Sequence, residues 1–397
     1  MAKLIPVLLT GFVLRCATFY AFPLLPAILD GRVECSTPVT SFKRLQEGIF
    51  QYQHQRSPYD GGVFHQSPLL LALFSTIPPQ YVNVLYSAVD VTIGYLLADI
   101  ARNLNGRRKD FSMDPAVVAT IYLLNPFSLM SLFARSTLLF SNLITTWAID
   151  SAVLKRQVRS VVLLALAVTL SIYPLYLAPA MILLCTEFGG DKGTDGQVRR
   201  LSLIFVASVG IFVGLSALPT QSWDFVGSTY GVILLFKELV PNIGLWWYFF
   251  TEMFDFFRPF FIGVFQIYVL MFSLPVTIRF KNNPLFALIT LMGTTALFKS
   301  YPECGDIGYY LSVLFLYRPP LKLLKYGLVA GLAVLYATVL APTFYHLWIY
   351  LGSGNSNFFY AITLVYALSM ILIISDSTWA AIRIEYDGGK NPNLNQF

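Results

Sequence analysis

Charge is scarce in this sequence. Asp, Glu, Lys and Arg make up 12% of its 397 residues, against 56% hydrophobic ones, and an ordinary soluble domain carries about twice that share of charge. With a mean hydropathy of +0.64, the surface has too few charged groups to lie mainly in water. A soluble enzyme and a disordered regulator are thereby excluded. Cysteine is equally thin, four in all: Cys16 and Cys185 fall in apolar runs, and Cys35 and Cys304 in expected loops too far apart in sequence to imply a bridge. No CxxC spacing exists, so neither a disulfide framework nor a zinc knuckle is indicated. The three histidines, His54, His65 and His346, are too few for a zinc centre, and neither metal nor cofactor is expected. Cations outnumber acids by 27 to 21, a net +6, yet they stand in short clusters between apolar runs. That pattern encodes membrane topology, not a nucleic-acid face.

What the chain has in abundance is uncharged length. A bilayer core takes about 20 apolar residues per helix, and the runs 116–134, 160–186, 201–223, 259–278 and 326–375 contain no Asp, Glu, Lys or Arg. The last is long enough for two helices joined by Gly352-Ser353-Gly354-Asn355-Ser356-Asn357. The stretch 4–28 is too long for the apolar part of a signal peptide and reads as a retained first span. Cations cluster at Arg102, Arg107, Arg108 and Lys109; at Lys155, Arg156 and Arg159; at Lys192, Arg199 and Arg200; at Arg279 and Lys281; at Arg318, Lys322 and Lys325; and at Arg383. The positive-inside bias asks all of these to face the cytoplasm.

Two choices satisfy that demand. The segment 68–79, short and closed by Pro78-Pro79, does not span and lies at the interface within a long first loop. The run from Ser160 crosses twice, broken at Ile172-Tyr173-Pro174, because proline removes a helix hydrogen bond. The expectation is then an all-α polytopic membrane protein of about twelve crossings: 4–28, 81–101, 115–133, 137–154, 160–173, 174–187, 201–219, 259–278, 284–300, 305–317, 326–345 and 358–381. Residues 1–382 form one multi-span domain, 383–397 a polar cytoplasmic tail, and both termini are cytoplasmic. The opposite face gathers the loops at about 30–80, 220–258, 301–304 and 346–357, where polar and aromatic residues concentrate.

Those loops carry a resemblance. Ser41-Phe42-Lys43-Arg44-Leu45-Gln46-Glu47-Gly48 and Ser57-Pro58-Tyr59-Asp60-Gly61-Gly62-Val63-Phe64-His65 resemble the PIG-U family, the class U phosphatidylinositol-glycan subunits of the GPI transamidase. So do Ser222-Trp223-Asp224-Phe225, Pro241-Asn242-Ile243-Gly244-Leu245-Trp246-Trp247, Phe298-Lys299-Ser300-Tyr301-Pro302 and His346-Leu347-Trp348-Ile349-Tyr350. The resemblance implies a non-catalytic subunit in the endoplasmic reticulum membrane that binds and presents the GPI lipid. A separate caspase-like subunit with a Cys/His pair performs the chemistry in that family's complex, alongside the other transamidase subunits. No cofactor is implied for this chain.

The order of first span, long lumenal loop, Glu47-Gly48, Ser57-Pro58-Tyr59 and Pro68-Leu69-Leu70 also looks like the GPI mannosyltransferases that use dolichyl-phosphate mannose, which implies a glycosyltransferase-C-like scaffold. Those enzymes carry an acidic pair in the first loop, where a carboxylate serves as base or steers a metal and a phosphate. Here the stretch reads Arg32-Val33-Glu34-Cys35-Ser36, with one acid. They often place a Lys before the Tyr-Pro of the broken span; here it reads Ser171-Ile172-Tyr173-Pro174. The scaffold is thus expected without its catalytic groups. A channel or transporter would show ionisable residues at membrane depth; Arg15 and Asp90 are the clearest, and pairing between spans is the simpler role for them.

The leading candidate site is the run Asn355, Ser356, Asn357 and Phe358. A carboxamide offers a glycan both donors and an acceptor without a buried charge, and in the family this run lies beside the GPI site. The plainer reading is a turn in which Asn357 caps the last helix. Asp60 and His65, beside Tyr59, are expected to touch the glycan head or a neighbouring subunit. The run 249–261, with Glu252, Asp255 and Arg258 three apart, reads as an interfacial helix whose aromatics pack at the membrane surface or wall a lipid groove. Gly327-Leu328-Val329-Ala330-Gly331 allows close packing against partner subunits.

Overall fold

The computed structural model describes residues 3–107, 111–189, 195–388 and 390; Arg108, Lys109 and Lys192 of the cation clusters, and 389 and 391–397 of the tail, lie outside the described residues. In chain order the α-helices are α1 (Leu4–Ala21), α2 (Leu25–Asp30), α3 (Phe42–Gln53), α4 (Pro68–Thr76), α5 (Val82–Arg107), α6 (Pro115–Leu124), α7 (Pro126–Phe133), α8 (Leu138–Val153), α9 (Gln157–Leu170), α10 (Ala178–Gly189), α11 (Asp195–Ser216), α12 (Gly231–Leu234), α13 (Trp246–Glu252), α14 (Arg258–Arg279), α15 (Pro284–Phe298), α16 (Cys304–Leu314), α17 (Arg318–Leu321), α18 (Gly327–Tyr345) and α19 (Ser356–Asp387). No strand occurs among the described residues.

Local chemistry sets the helix starts. Proline stands in the first turn of α4, α6 and α7, where its missing N–H costs nothing. The residue before each, Ser67, Asp114 and Asn125, accepts a hydrogen bond from the free N–H two residues on. At nine residues α4 is too short to cross a bilayer. The break near Pro174 is present: α9 ends at Leu170, a 3-10 turn covers Tyr173–Leu177, and α10 restarts at Ala178.

One expected crossing is interrupted and one expected helix is corrected. The segment 115–133 is made of α6 and α7, bent by 55°. Pro126 holds Asn125 in extended backbone (φ −64°, ψ 118°), which a continuous helix cannot include. Likewise 249–261 is not one helix. α13 stops at Glu252, Met253 is extended (ψ 142°), and α14 begins at Arg258 with Pro259 in its first turn. Proline lacks the N–H that would have joined the two pieces.

Among the described residues six helices are long and apolar enough to cross a membrane: α1, Pro79–Arg107, α11, α14, Gly327–Tyr350 and α19, with a seventh if the bent α6–α7 pair is one span. The other expected crossings are occupied by shorter helices. The division has a physical sense. α11, α14 and α18 show Leu203, Val206, Ile211, Ile267, Leu270, Leu332 and Leu335 on the outside, an apolar surface that belongs in lipid rather than water. The shorter α15, by contrast, is buried from Pro284 to Leu297 and packs against α10, α14, α16 and α19.

Polar links tie the bundle together. Arg15 and Asp90 do pair, Nε to Oδ2 at 2.6 Å between α1 and α5. Cys35 and Cys304, remote in sequence, share a small buried cluster with Ala134 as free thiols. α16 crosses α7 closely because Gly305 and Gly308 lack side chains: a Cβ on Gly308 would sit 2.8 Å from the Ser128 backbone nitrogen. Gly308→Ala is therefore expected to cost about 1–3 kcal/mol, read as a lower melting temperature of the solubilised protein; unchanged melting would mean that the crossing yields freely.

Candidate functional site

The last two long helices meet through a turn built from small and amide residues. α18 runs into a π-helical turn, His346–Tyr350, and the chain then reverses at Gly352 (φ 63°), a left-handed conformation that glycine adopts without strain. The backbone N–H groups of Ser353 and Gly354 both donate to the Leu347 carbonyl at 3.0 Å, folding the turn over the helix end. α19 then starts with a cap supplied by Asn355, whose Oδ1 accepts from Asn357 N at 3.1 Å and Phe358 N at 3.3 Å. The expected cap, Asn357, is thus corrected to Asn355, because the residue with extended backbone (φ −136°, ψ 169°) is the one that can reach the free N–H groups. Asn357 is freed for another partner: its Oδ1 accepts from the Tyr248 hydroxyl. Both carboxamide NH2 groups are without a partner among the described residues, and Asn355, Asn357 and Phe358 are exposed while Ser356 is half-buried.

An aromatic wall stands behind the turn. Tyr248 stacks on Tyr360 with centroids 4.4 Å apart, and Trp247 stacks on Trp348 at 5.9 Å and leans on Phe359 at 5.7 Å. α13 is thereby fastened to the start of α19, although its continuation toward α14 leaves Phe254, Phe256 and Phe260 outside. Between α18 and α19 lies a cavity lined by Ala337, Ala341, Pro342, Ile362 and Tyr366, with Glu34 and Cys304 at its edge. Burial raises the Glu34 carboxyl above its ordinary range, which favours the neutral acid beside this apolar hollow.

His65 and Asp60 sit elsewhere. Asp60 is exposed, next to the positive-φ Gly62. His65 is buried: Nδ1 lies 2.9 Å from the Ser228 carbonyl, and Nε2 3.5 Å from Glu238, which also pairs with Arg44 at 3.2 Å. Burial pulls the imidazole pKa down, so the ring is chiefly neutral at pH 7. No hydrogen bond or ring contact links either residue to the 355–358 turn among the described residues. Among those residues, too, no group of three His, Cys, Asp or Glu side chains is arranged to hold a metal ion. Sequence reasoning missed Tyr248 and Trp247 as parts of the turn's wall, and it missed the pair Lys299 and Asp306, 2.6 Å apart; an isolated Lys between Phe298 and Ser300 was the signal for the latter.

A family model described as GPI transamidase subunit PIG-U matches residues 9–366. The chain belongs to the PIG-U family. It is 38% identical over 380 residues to the GPI transamidase component GAB1 of Saccharomyces cerevisiae, covering 95% of this chain and 94% of the yeast protein. The GPI-anchor transamidase component PIGU of Homo sapiens is 34% identical over 415 residues, covering 97% and 95%. The GAB1 homolog of Schizosaccharomyces pombe is 35% identical over 365 residues, covering 89% and 88%. The resemblance carried by those loop blocks therefore extends along most of the chain. In this PIG-U member Glu34 edges an apolar cavity, and Ser171-Ile172-Tyr173-Pro174 lies in the uncharged break between α9 and α10.

Proposed function

We propose that this chain is a non-catalytic subunit of a GPI transamidase in the endoplasmic reticulum membrane, and that it holds the GPI lipid for transfer to proproteins. The observation that carries the reading is one of position. The carboxamide NH2 groups of Asn355 and Asn357, free of partners among the described residues, stand in the turn that joins α18 to α19, and the same two helices frame an apolar cavity. A lipid with a hydroxyl-rich head needs that order, acyl chains in the hollow and glycan at the amides. The relatives named as transamidase components support it, and the exposed apolar faces of α11, α14 and α18 suit lipid and neighbouring subunits.

In this reading the shorter interior helices complete about twelve crossings of a glycosyltransferase-C-like scaffold, the termini and the tail face the cytoplasm, and the 346–357 turn faces the lumen. The GPI is handed to a separate caspase-like catalytic subunit, as the family resemblance implies. Asp60, exposed on the same lumenal side, contacts the glycan or a neighbouring subunit, and His65 contributes from within.

The test keeps the cap and removes the contact. Asn355→Ser retains an N-cap oxygen, and Asn357→Ala removes the other carboxamide. Together they are expected to leave assembly intact and lower GPI transfer by about fivefold, the worth of roughly one hydrogen bond. Undiminished transfer at equal expression would reduce the run to a turn.

A further inference from the structure

A second cavity, with more polar lining than the first, opens between α8, the break after α9, α15 and α16. Ser141, Asn142 and Thr145 present one face of α8 to it. Ser141 and Thr145 are 7% and 3% exposed, and none of the three side chains has a hydrogen-bond partner among the described residues. Their polar atoms open onto the cavity, so whatever fills it can hydrogen-bond to them. Facing them is Lys299, with a side chain 3% exposed, bound to Asp306 at 2.6 Å and set 4.9 Å above the Tyr173 ring. A smaller hollow shares Ser141, Tyr173 and Lys299 and reaches His65, whose Nε2 has no hydrogen-bond partner.

These features define what fits. The Lys299–Asp306 pair carries no net charge: Asp306 opposes an anion, while Lys299 opposes a cation. An acyl chain would leave the α8 hydroxyls and amide unsatisfied. A neutral ring bearing several hydroxyls satisfies donors and acceptors at once, and its C–H face suits the Tyr173 ring. The geometry points to a binding site for a neutral sugar ring in this cavity, separate from the 355–358 turn and independent of the role proposed for that turn. The ring comes either from a membrane glycolipid or from free sugar, and the chemistry of recognition is the same.

The experiment uses the intact complex in lipid nanodiscs with Asn142→Cys, following maleimide labelling of the introduced thiol by peptide mass spectrometry. Methyl α-D-mannopyranoside at about 50 mM is expected to slow labelling about fivefold if it occupies most of the sites, and adding Thr145→Val should weaken that protection. Protection by an octyl mannoside placed in the membrane, at concentrations where the free sugar fails, would assign the source to a glycolipid; equal protection by the soluble sugar would assign it to free sugar. Asn357→Ala should leave protection unchanged, so failure at the turn and failure here are read separately. Protection by inorganic phosphate instead, or by no sugar, overturns the site. If Asn142→Cys does not assemble, hydrogen exchange across 138–146 in the unaltered complex must slow with the same sugar, and the absence of slowing overturns the site equally.

Discussion

Asp90→Ala is expected to lose about 3–5 kcal/mol of stability, enough to remove most of the chain from the assembled complex at 37 °C. Asp90 is fully buried and accepts from Arg15 Nε at 2.6 Å and from the Tyr122 hydroxyl at 2.7 Å. Arg15 spends its remaining reach on the carbonyls of Gly11 at 3.0 Å and Leu123 at 2.9 Å. The network therefore ties α1, α5 and α6 with both charges matched and hydrogen-bonded. Removing the carboxylate strands a guanidinium in the bundle, and a charge without its partner is the costly case. Replacing both partners, Arg15→Met with Asp90→Leu, removes the charges together and should recover much of the loss. The measurement is recovery of complex by size exclusion before and after a heat step. Equal recovery for Asp90→Ala and the unaltered chain would show that the pair is dispensable, and failure of the double variant to recover would point to a role beyond packing, such as an ion path.

The same pair shows what the sequence could reveal. Two opposite charges in apolar runs invite each other, because the alternative is two separate desolvation costs. Helix positions were legible for a similar reason, since apolar length and proline are local properties; the break at Pro174 and the short α4 are read from proline and length together with the placement of the cation clusters. The bend at Asn125-Pro126 was present in the sequence as an X-Pro signal but was outweighed by the unbroken apolar run around it. The gap between Glu252 and Arg258 was hidden by aromatic residues that continue the helical spacing through it. At the candidate site, the Gly/Asn composition marked the turn, but which Asn caps depends on which residue leaves helical geometry. Tyr248 and Lys299 were not legible as site residues, because their partners Asn357 and Asp306 become meaningful only once the helices are packed around shared cavities.

Glu303 gives the second large effect, and its pH dependence distinguishes it from simple packing. The carboxylate is fully buried, with Oε1 accepting from Ser131 at 2.9 Å and Ser136 at 2.6 Å, and Oε2 from Thr40 at 2.7 Å. It thereby joins the first loop, α7 and the start of α16, where its own N–H donates to Asp306 at 2.9 Å. Burial first, and the negative Asp306 second, push its pKa up to about 7, against the pull of the hydroxyls, from an ordinary 4.5. Between those two values the folded chain keeps a proton that the unfolded chain has released. Stability therefore falls as pH rises through that window, by about 3 kcal/mol at most, and levels off above pH 7. The melting temperature of the solubilised complex should accordingly rise as pH is lowered from 7.5 to 5.5. Glu303→Gln should flatten that part of the profile, since an amide does not titrate, and Glu303→Ala should cost about 3 kcal/mol at pH 5.5 because three buried hydroxyls lose their acceptor. Parallel pH profiles for the Gln variant and the unaltered protein would assign the titration to another group and leave Glu303 a permanently charged staple.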